Sequence, residues 1–430
     1  MISIVRRRSV RVVLLIVLIV FGLTKCIDKN SNKSDAEAIS DSPATPQLHA
    51  PSYSQFAGGG KCAGCHKDIY EDHKKTGHFL TSRPPDPAYI LGSFKEGKNR
   101  YDYNPSLVVV MEKRDSGLYQ VVYFKGEEKV ALPFNMVVGS GTKGQTFVHQ
   151  KGNRLYQLPI SYFSEADQWS NSPGFPSRVL FDRPITTRCL ECHATFAETI
   201  TPPGQEPEEF NDKKIIYGVD CERCHGPAVE HVEFHTANPG EVRGKHIQDP
   251  SALTRQQIVD LCALCHGGKM DKIQPSFTFT AGDKLSDFFI PDSLQALAVN
   301  LGNVDVHGNQ NGLLKASKCY TMSSTLTCVS CHNPHKNERG SLAVFSQRCM
   351  GCHSAGHEPI CKMTGKLGSS ITSNCIDCHM PKQVSRAIAL QMPGEDVPRA
   401  ALIRSHFISI YPDETSKFLR SSEKPLAKPK

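Results

Sequence analysis

The rhythm of apolar and polar positions changes several times along this chain, and each change predicts an element. Val12 to Leu23 is an apolar run preceded by Arg6, Arg7, Arg8 and Arg11. Basic residues followed by about a dozen apolar ones predict an export segment, and the run is short for a membrane span. Residues 27–56 then carry Ser, Asp, Asn, Pro and Ala with almost no large apolar side chain. Such a composition buries too little to fold and predicts a disordered tether. In residues 57–93, Lys67 to His73 reads as a short helix ending near Gly77 and His78. Between residues 94 and 165 the pattern turns β-branched and aromatic. Ser106 to Glu112 and Leu118 to Phe124 are two such runs, joined by Asp115, Ser116 and Gly117, which predict a hairpin. Thr146 to His149 and Arg154 to Gln157 predict further short strands. Residues 166–410 show no long periodicity, and short helical stretches alternate there with Gly, Pro and Asn. Residues 411–430 read as a tail, disordered from Ser421 onward.

A second pattern overlies the first: Cys-x-x-Cys-His occurs seven times. The copies are Cys62, Cys65 and His66; Cys189, Cys192 and His193; Cys221, Cys224 and His225; and Cys262, Cys265 and His266. Three more follow: Cys328, Cys331 and His332; Cys349, Cys352 and His353; and Cys375, Cys378 and His379. One copy says little, because zinc sites and thiol redox motifs share the spacing. A structural zinc site has no need of a His directly after every second Cys. A thioredoxin-like pair occurs once, between a strand and a helix. Disulfides suit an exported chain but also give that His no role. Seven copies predict covalent haem c: two thiols bond to the vinyl positions of one porphyrin, and the adjacent imidazole takes an axial position on its iron. Seven covalently attached haem c groups are therefore expected, one in residues 57–93 and six in residues 166–410.

Composition agrees with that reading. The 430-residue chain has 39% hydrophobic and 8% aromatic residues, modest for its length. One porphyrin for roughly every 45 residues between Cys62 and His379 replaces much of a side-chain core. Without haem the chain is expected not to fold stably, because only the folded state binds it. The expected fold class is mostly α and irregular, a multihaem cytochrome with a small antiparallel β-insert at residues 94–165. Formal net charge is +7, part of it in the export segment and tail. No basic run interleaved with aromatics occurs in the body, which argues against nucleic acid as a partner. Cys26 follows Leu23-Thr24-Lys25, which looks like a bacterial lipoprotein cleavage site, although Lys25 stands where a small residue is usual. Residues 1–26 are thus a signal or lipoprotein-type anchor, the alternative being a short uncleaved anchor. Either places the body in the periplasm or cell envelope, where haem attachment is completed.

The motif histidines fill one side of each iron, so the other side decides the chemistry. A second His makes a six-coordinate iron suited to carrying electrons, whereas an empty or water-bound position admits a small molecule. Eleven histidines lie outside the motifs, enough for full bis-His ligation. His335 follows His332 by three residues and can reach a neighbouring haem, and His231 stands similarly after Cys224-His225-Gly226-Pro227. His78, His307 and His406 have no competing His nearby, and His149 sits on a predicted strand. These six are the candidate distal ligands. His73, His235, His246 and His357 rank below them, and His49 lies in the tether. Cys319 and Cys361 belong to no motif and are open to pairing or to remaining free.

Several segments carry a resemblance. They are Cys62-Ala63-Gly64-Cys65-His66-Lys67-Asp68-Ile69-Tyr70 with Gly77-His78, and Cys221-Glu222-Arg223-Cys224-His225-Gly226-Pro227 with His231. Cys328-Val329-Ser330-Cys331-His332-Asn333-Pro334-His335 and Cys375-Ile376-Asp377-Cys378-His379-Met380-Pro381 add to them. Together they resemble bacterial multihaem proteins with a cytochrome c-552/c-554 domain. Val138-Gly139-Ser140-Gly141 and Ser172-Pro173-Gly174-Phe175 look like that group's intervening segment. Over residues 57–410 the resemblance implies closely stacked, largely bis-His haems in a periplasmic electron-transfer role. It also implies His78, His231, His335 and His406 as distal ligands. Related multihaem enzymes reduce nitrite or tetrathionate or oxidise hydroxylamine. Ammonifying nitrite reductases often carry Lys in place of one motif His, and here all seven motifs end in His. The expectation is an electron carrier working between donor and acceptor redox proteins, or a quinol-linked complex, and held to a membrane by its N-terminal anchor. The alternative is an oxidoreductase acting on a small nitrogen or sulfur compound at one open haem.

Overall fold

In the computed structural model, residues 50–202, 204–291, 309–354, 361–392, 395 and 398–422 are described. The export segment with Cys26, the tether as far as His49, the apolar residues 294–299, His307, His357 and residues 423–430 lie outside them.

Leu107–Arg114 (β3) and Gly117–Phe124 (β4) form the hairpin predicted across Asp115 and Ser116. Val109 stands opposite Val122 and Met111 opposite Gln120. Gly117 closes the turn at φ +136°, a conformation that favours glycine. Arg100–Asn104 (β2) and Glu127–Pro133 (β5) complete a four-stranded antiparallel sheet ordered β2-β3-β4-β5. A second sheet runs β1-β6-β7-β8-β11: Ser82–Arg83, Met136–Val138, Gly144–Lys151, Arg154–Gln157 and Arg183–Pro184. Ile160–Phe163 (β9) pairs with β7 and with Gln168–Asn171 (β10).

Alternation along these strands turns one face of each sheet inward. Val109, Met111, Phe134, Phe147, Leu158, Ile160 and Trp169, drawn from both sheets and their connections, make one cluster. Trp169 donates its indole N–H to the Ser93 carbonyl at 2.9 Å. Gly92 lets the backbone pass against that ring, where any side chain would strike it. Gln120 is fully buried, and its amide both donates to the Ile160 carbonyl (2.6 Å) and accepts from the Ile160 N–H (3.2 Å). A buried amide satisfied on both atoms links the sheets without an unpaired polar group.

Outside this sandwich the cores thin out. Met136, Val148 and Leu155 meet Leu190, Phe196, Phe210 and Phe277. Ala263, Leu264, Phe279, Phe288 and Phe289 gather around the helix Arg255–His266. Beyond residue 309 the buried apolar cluster among the described residues is Leu313, with Ala316, Ile403 and Phe407 against it. No helix among the described residues is long and apolar enough to cross a membrane.

The structure corrects the expectation of a mostly helical and irregular fold: helix makes up 30% and strand 26% of the residues. Strands extend through the motif region as well. Ala194–Thr199 (β12) pairs with Phe210–Tyr217 (β13), Met270–Lys272 (β14) with Phe289–Pro291 (β15), and Lys382–Leu390 (β16) with Arg399–Arg404 (β17). Their sequences hid them for a physical reason. Residues 194–197 are all buried, so β12 lacks the two-residue rhythm of a half-exposed strand. Irregularities between Ala194 and Phe196, and between Ala197 and Thr199, break the register as well.

Candidate functional site

Each motif is built on about one helical turn. His66, His332, His353 and His379 donate their backbone N–H to the carbonyl of the first Cys of their own motif, at 2.8, 3.0, 3.0 and 3.1 Å. This i to i+4 closure holds two thiols and an imidazole within one turn. The other motifs lie in the helices Thr187–His193, Cys221–His225 and Arg255–His266. Asp220 caps the second of these by accepting from the Cys221 N–H at 2.8 Å. Thr254 and Gln257 form a capping box at the start of the third.

Inside the motifs, two acidic residues fasten the turns to their surroundings. Glu222 accepts from the backbone N–H groups of Ala57 (2.8 Å), Gly58 (2.8 Å) and Ala228 (2.9 Å). Burial nevertheless holds its carboxyl above the usual range. Glu191, almost wholly buried, accepts from the Phe277 N–H at 2.9 Å and from Arg188.

All seven motifs, with every one of their thiols and imidazoles, open on a single cavity of about 3780 Å³. That is about 540 Å³ for each motif, within the ~300–1,000 Å³ of an ordinary cofactor pocket. Fourteen Lys and Arg residues line it against six Asp and Glu. A wall with surplus positive charge suits a group that carries carboxylates, as porphyrin propionates do. The fourteen motif cysteines are all free thiols, available for thioether bonds. Among the described residues no three His, Cys, Asp or Glu side chains converge as a closed metal cage. On size, charge and donor set, the cavity fits haem.

Three motif imidazoles face a second imidazole. His78 stands 6.2 Å from His266, His335 6.1 Å from His225, and His406 6.1 Å from His332, centroid to centroid. Two imidazoles bonded to one metal at ~2.0 Å each lie roughly 6 Å apart between ring centres. The spacing of each pair therefore matches one iron between them. Ring orientation is set from behind. His225, His379 and His231 turn Nδ1 toward the carbonyls of Gln248 (3.0 Å), Ser409 (2.8 Å) and Lys245 (2.7 Å). His193 pairs Nδ1 with the Thr81 hydroxyl at 2.9 Å. The three carbonyls place the proton on Nδ1 of His225, His379 and His231 and leave the Nε2 lone pair for a metal. Burial holds His78 and His406 down to about 4, helped by His266 and His332 respectively. Both rings border the cavity, yet protein surrounds most of their volume. They are neutral at physiological pH, the form a metal requires.

The remaining candidates divide. His231 and His235 both line the cavity, with ring centres 4.6 Å apart. His73 lines it too; its Nε2 lies 3.1 Å from the Val219 carbonyl, while its buried Nδ1 has no partner. His149 on β7 and His246 do not line it, and His246 Nδ1 lies 3.6 Å from Glu230 instead. Cys319 and Cys361 are free thiols. Sequence order had placed His73 and His235 below His149. The available signal for His73 was its spacing of seven from His66, two turns along one helix face. Thr81 and the carbonyls behind the rings carry no sequence signal at all.

The sequence pattern of the cytochrome c554 and c-prime family matches residues 178–226, the stretch holding the second and third motifs. The C-type polyheme cytochrome OmcC of Geobacter sulfurreducens is 20% identical over 219 residues, which are 50% of this chain and 22% of that protein. The match thus spans about a fifth of that relative's length. Among solved structures, the outer cell wall cytochrome OcwA is similar at a TM-score of 0.47 and 16% identity, over 84% of this chain and 81% of that one.

Proposed function

Because the chain is a multihaem c-type cytochrome, we propose that it carries electrons outside the cytoplasmic membrane through seven haem c groups, one on each motif. The observation that supports this most directly is the single cavity onto which all seven motifs open. Bound there, haem supplies an iron that gains and loses one electron reversibly. The chain's own residues do the rest. Each Cys pair anchors one porphyrin, and the motif His holds one face of its iron. His335, His78 and His406 take the opposite faces at the third, fourth and fifth motifs. His231, with His235 beside it, is the further distal candidate at the cavity wall, and His307 is the remaining one; His149, also expected from sequence, does not line the cavity and is left out of the set. Where a second imidazole fills the other axial position, as proposed for the third, fourth and fifth motifs, substrate is excluded and transfer is favoured over catalysis. Partners are donor and acceptor redox proteins, or a quinol-linked complex, with residues 1–26 as the attachment to a membrane.

A pyridine haemochrome assay combined with low-temperature EPR tests the reading. Seven haems per chain and low-spin ferric signals unchanged by nitrite or hydroxylamine are expected. Fewer than seven haems contradicts the count. A high-spin signal that shifts with either compound would favour the oxidoreductase acting on a small nitrogen or sulfur compound.

A further inference from the structure

Residues 405–409 are bonded to the seventh motif on one side and present a ring to the fifth on the other. Toward the seventh, the Ser405 N–H donates to the Pro381 carbonyl at 3.0 Å and the Ser409 N–H to the His379 carbonyl at 3.2 Å. The Ser409 carbonyl in turn accepts from His379 Nδ1 at 2.8 Å, so His379 and Ser409 hold each other at two points. From the far side one hydroxyl grips the segment twice. Ser317 Oγ accepts from the Ile408 N–H at 2.8 Å and donates to the His406 carbonyl at 3.0 Å, sharing that proton with the Leu313 carbonyl at 3.0 Å. Ser317 and Ser405 are fully enclosed, at 1% and 0% exposure. Phe407 packs on Leu313, its N–H donates to the Ser405 hydroxyl at 3.1 Å, and its carbonyl accepts from the Tyr411 hydroxyl at 2.7 Å. The His406 ring faces His332 of the fifth motif, and its buried Nδ1 has no hydrogen-bond partner. His225, His379 and His231 are oriented by a carbonyl behind the ring; His406 is oriented through its backbone.

We infer that residues 405–409 are a strap that couples the fifth haem to the seventh, and that Ser317 is a positioning residue for both. The inference rests on the function proposed above, with His406 as the distal ligand of the fifth haem. Two pieces of ligand chemistry make the link. A carbonyl that accepts from the Nδ1–H of an axial imidazole makes that ligand more basic, which favours ferric iron and lowers the potential. The angle between two axial imidazole planes, 30° for His332 and His406, sets the anisotropy of a low-spin ferric signal. At the seventh motif the accepting carbonyl belongs to Ser409, and at the fifth the ring belongs to His406 on the same strap. Ser317 holds residues 406 and 408, between the two. A change in charge at the seventh iron alters the pull of His379 on Ser409, and the strap carries that change to His406. Coupling of this kind runs in both directions. Ser317, His379 and His406 share no short window of sequence, so the link exists only in the fold.

Ser317→Ala in the haem-loaded full chain tests the strap, read by low-temperature EPR and by a potentiometric titration followed by NMR. Contacts from the Cys375 and Cys378 thioethers assign the seventh haem in the NMR spectra. His406→Ala, which should turn the fifth haem high-spin, identifies its low-spin EPR signal by removing it. In Ser317→Ala that signal should stay low-spin but shift its g values, and the midpoint of the seventh haem should rise as the His379 bond to Ser409 weakens. The other haems should keep their signals and midpoints. Tyr411→Phe frees the Phe407 carbonyl without touching either ligand, and should move the same two haems in the same directions by less. It decides the matter alone if Ser317→Ala does not accumulate. A change at only one of the two haems, at neither, or at haems beyond these two overturns the strap. Fewer than seven haems in the unaltered protein refutes the seven-haem reading, and a His406→Ala protein with every haem low-spin refutes His406 as a ligand. Both results are distinct from failure of the strap, which is read with seven haems bound and His406 in place.

Discussion

Trp169, Phe147 and Met111 fill the space between the two sheets of residues 82–184, whereas the motif helices surround about 3780 Å³ of cavity. The sandwich resembles the interior of an ordinary domain, with buried polar groups such as Gln120 paired on both atoms. Around the motifs, side-chain cores shrink until Leu313 is the centre of the last one among the described residues. The same chain thus solves burial twice. In one region apolar side chains meet each other, and in the other they and the thiols wait for a large apolar ligand. Stability in the second region is binding energy.

Withholding haem tests this contrast most severely. In cells lacking haem attachment, the strands carrying Val109, Met111 and Val121 should keep slow amide exchange, while the motif segments exchange freely. Equal protection in both regions would abolish the distinction. Trp169→Ala acts on the other side: removing a buried aromatic should cost the sandwich about 3–5 kcal/mol in denaturant titration and leave the haem absorption of the native protein unaltered. Gln120→Ala should cost less, about 1–3 kcal/mol, because it strands the buried Ile160 N–H and carbonyl. Smaller still in stability, but distinct by EPR, are single ligand losses. His335→Ala and His406→Ala should each turn one haem high-spin, and His149→Ala none, since His149 lies off the cavity.

A pH series sharpens the same point. His78 and His406 are held down to about 4 in the fold, below the ~6.5 of a free His. From about pH 6.5 downward the unfolded chain therefore takes up protons that these rings still refuse. The stability they contribute is present above that range and is lost as pH falls toward 4. Low-spin signals should stay constant between pH 8 and 6.5 while stability to denaturant declines from pH 6.5 to 4.

Local patterns were legible and distant ones were not. The hairpin of β3 and β4 follows from two β-branched runs about a short turn, and every motif from its own spacing. β12 escaped because it is buried on both faces, and β16 with β17 because an irregularity between Val384 and Ala389 breaks the regular pairing of that hairpin. His78, His335 and His406 could be nominated as candidates, but their partners could not. His73 and His235 border the cavity too, and nothing near them in sequence announces it.

By itself, then, the sequence determined the cofactor chemistry and the number of attachment points. Cys-x-x-Cys-His works through covalent bonds and one helical turn, which require only neighbouring residues. Tertiary structure decided which imidazole faces which, and which distant residues meet. His78 meets His266, and Glu191 meets the Phe277 N–H, only after segments far apart in the chain pack together, and no local preference encodes that packing.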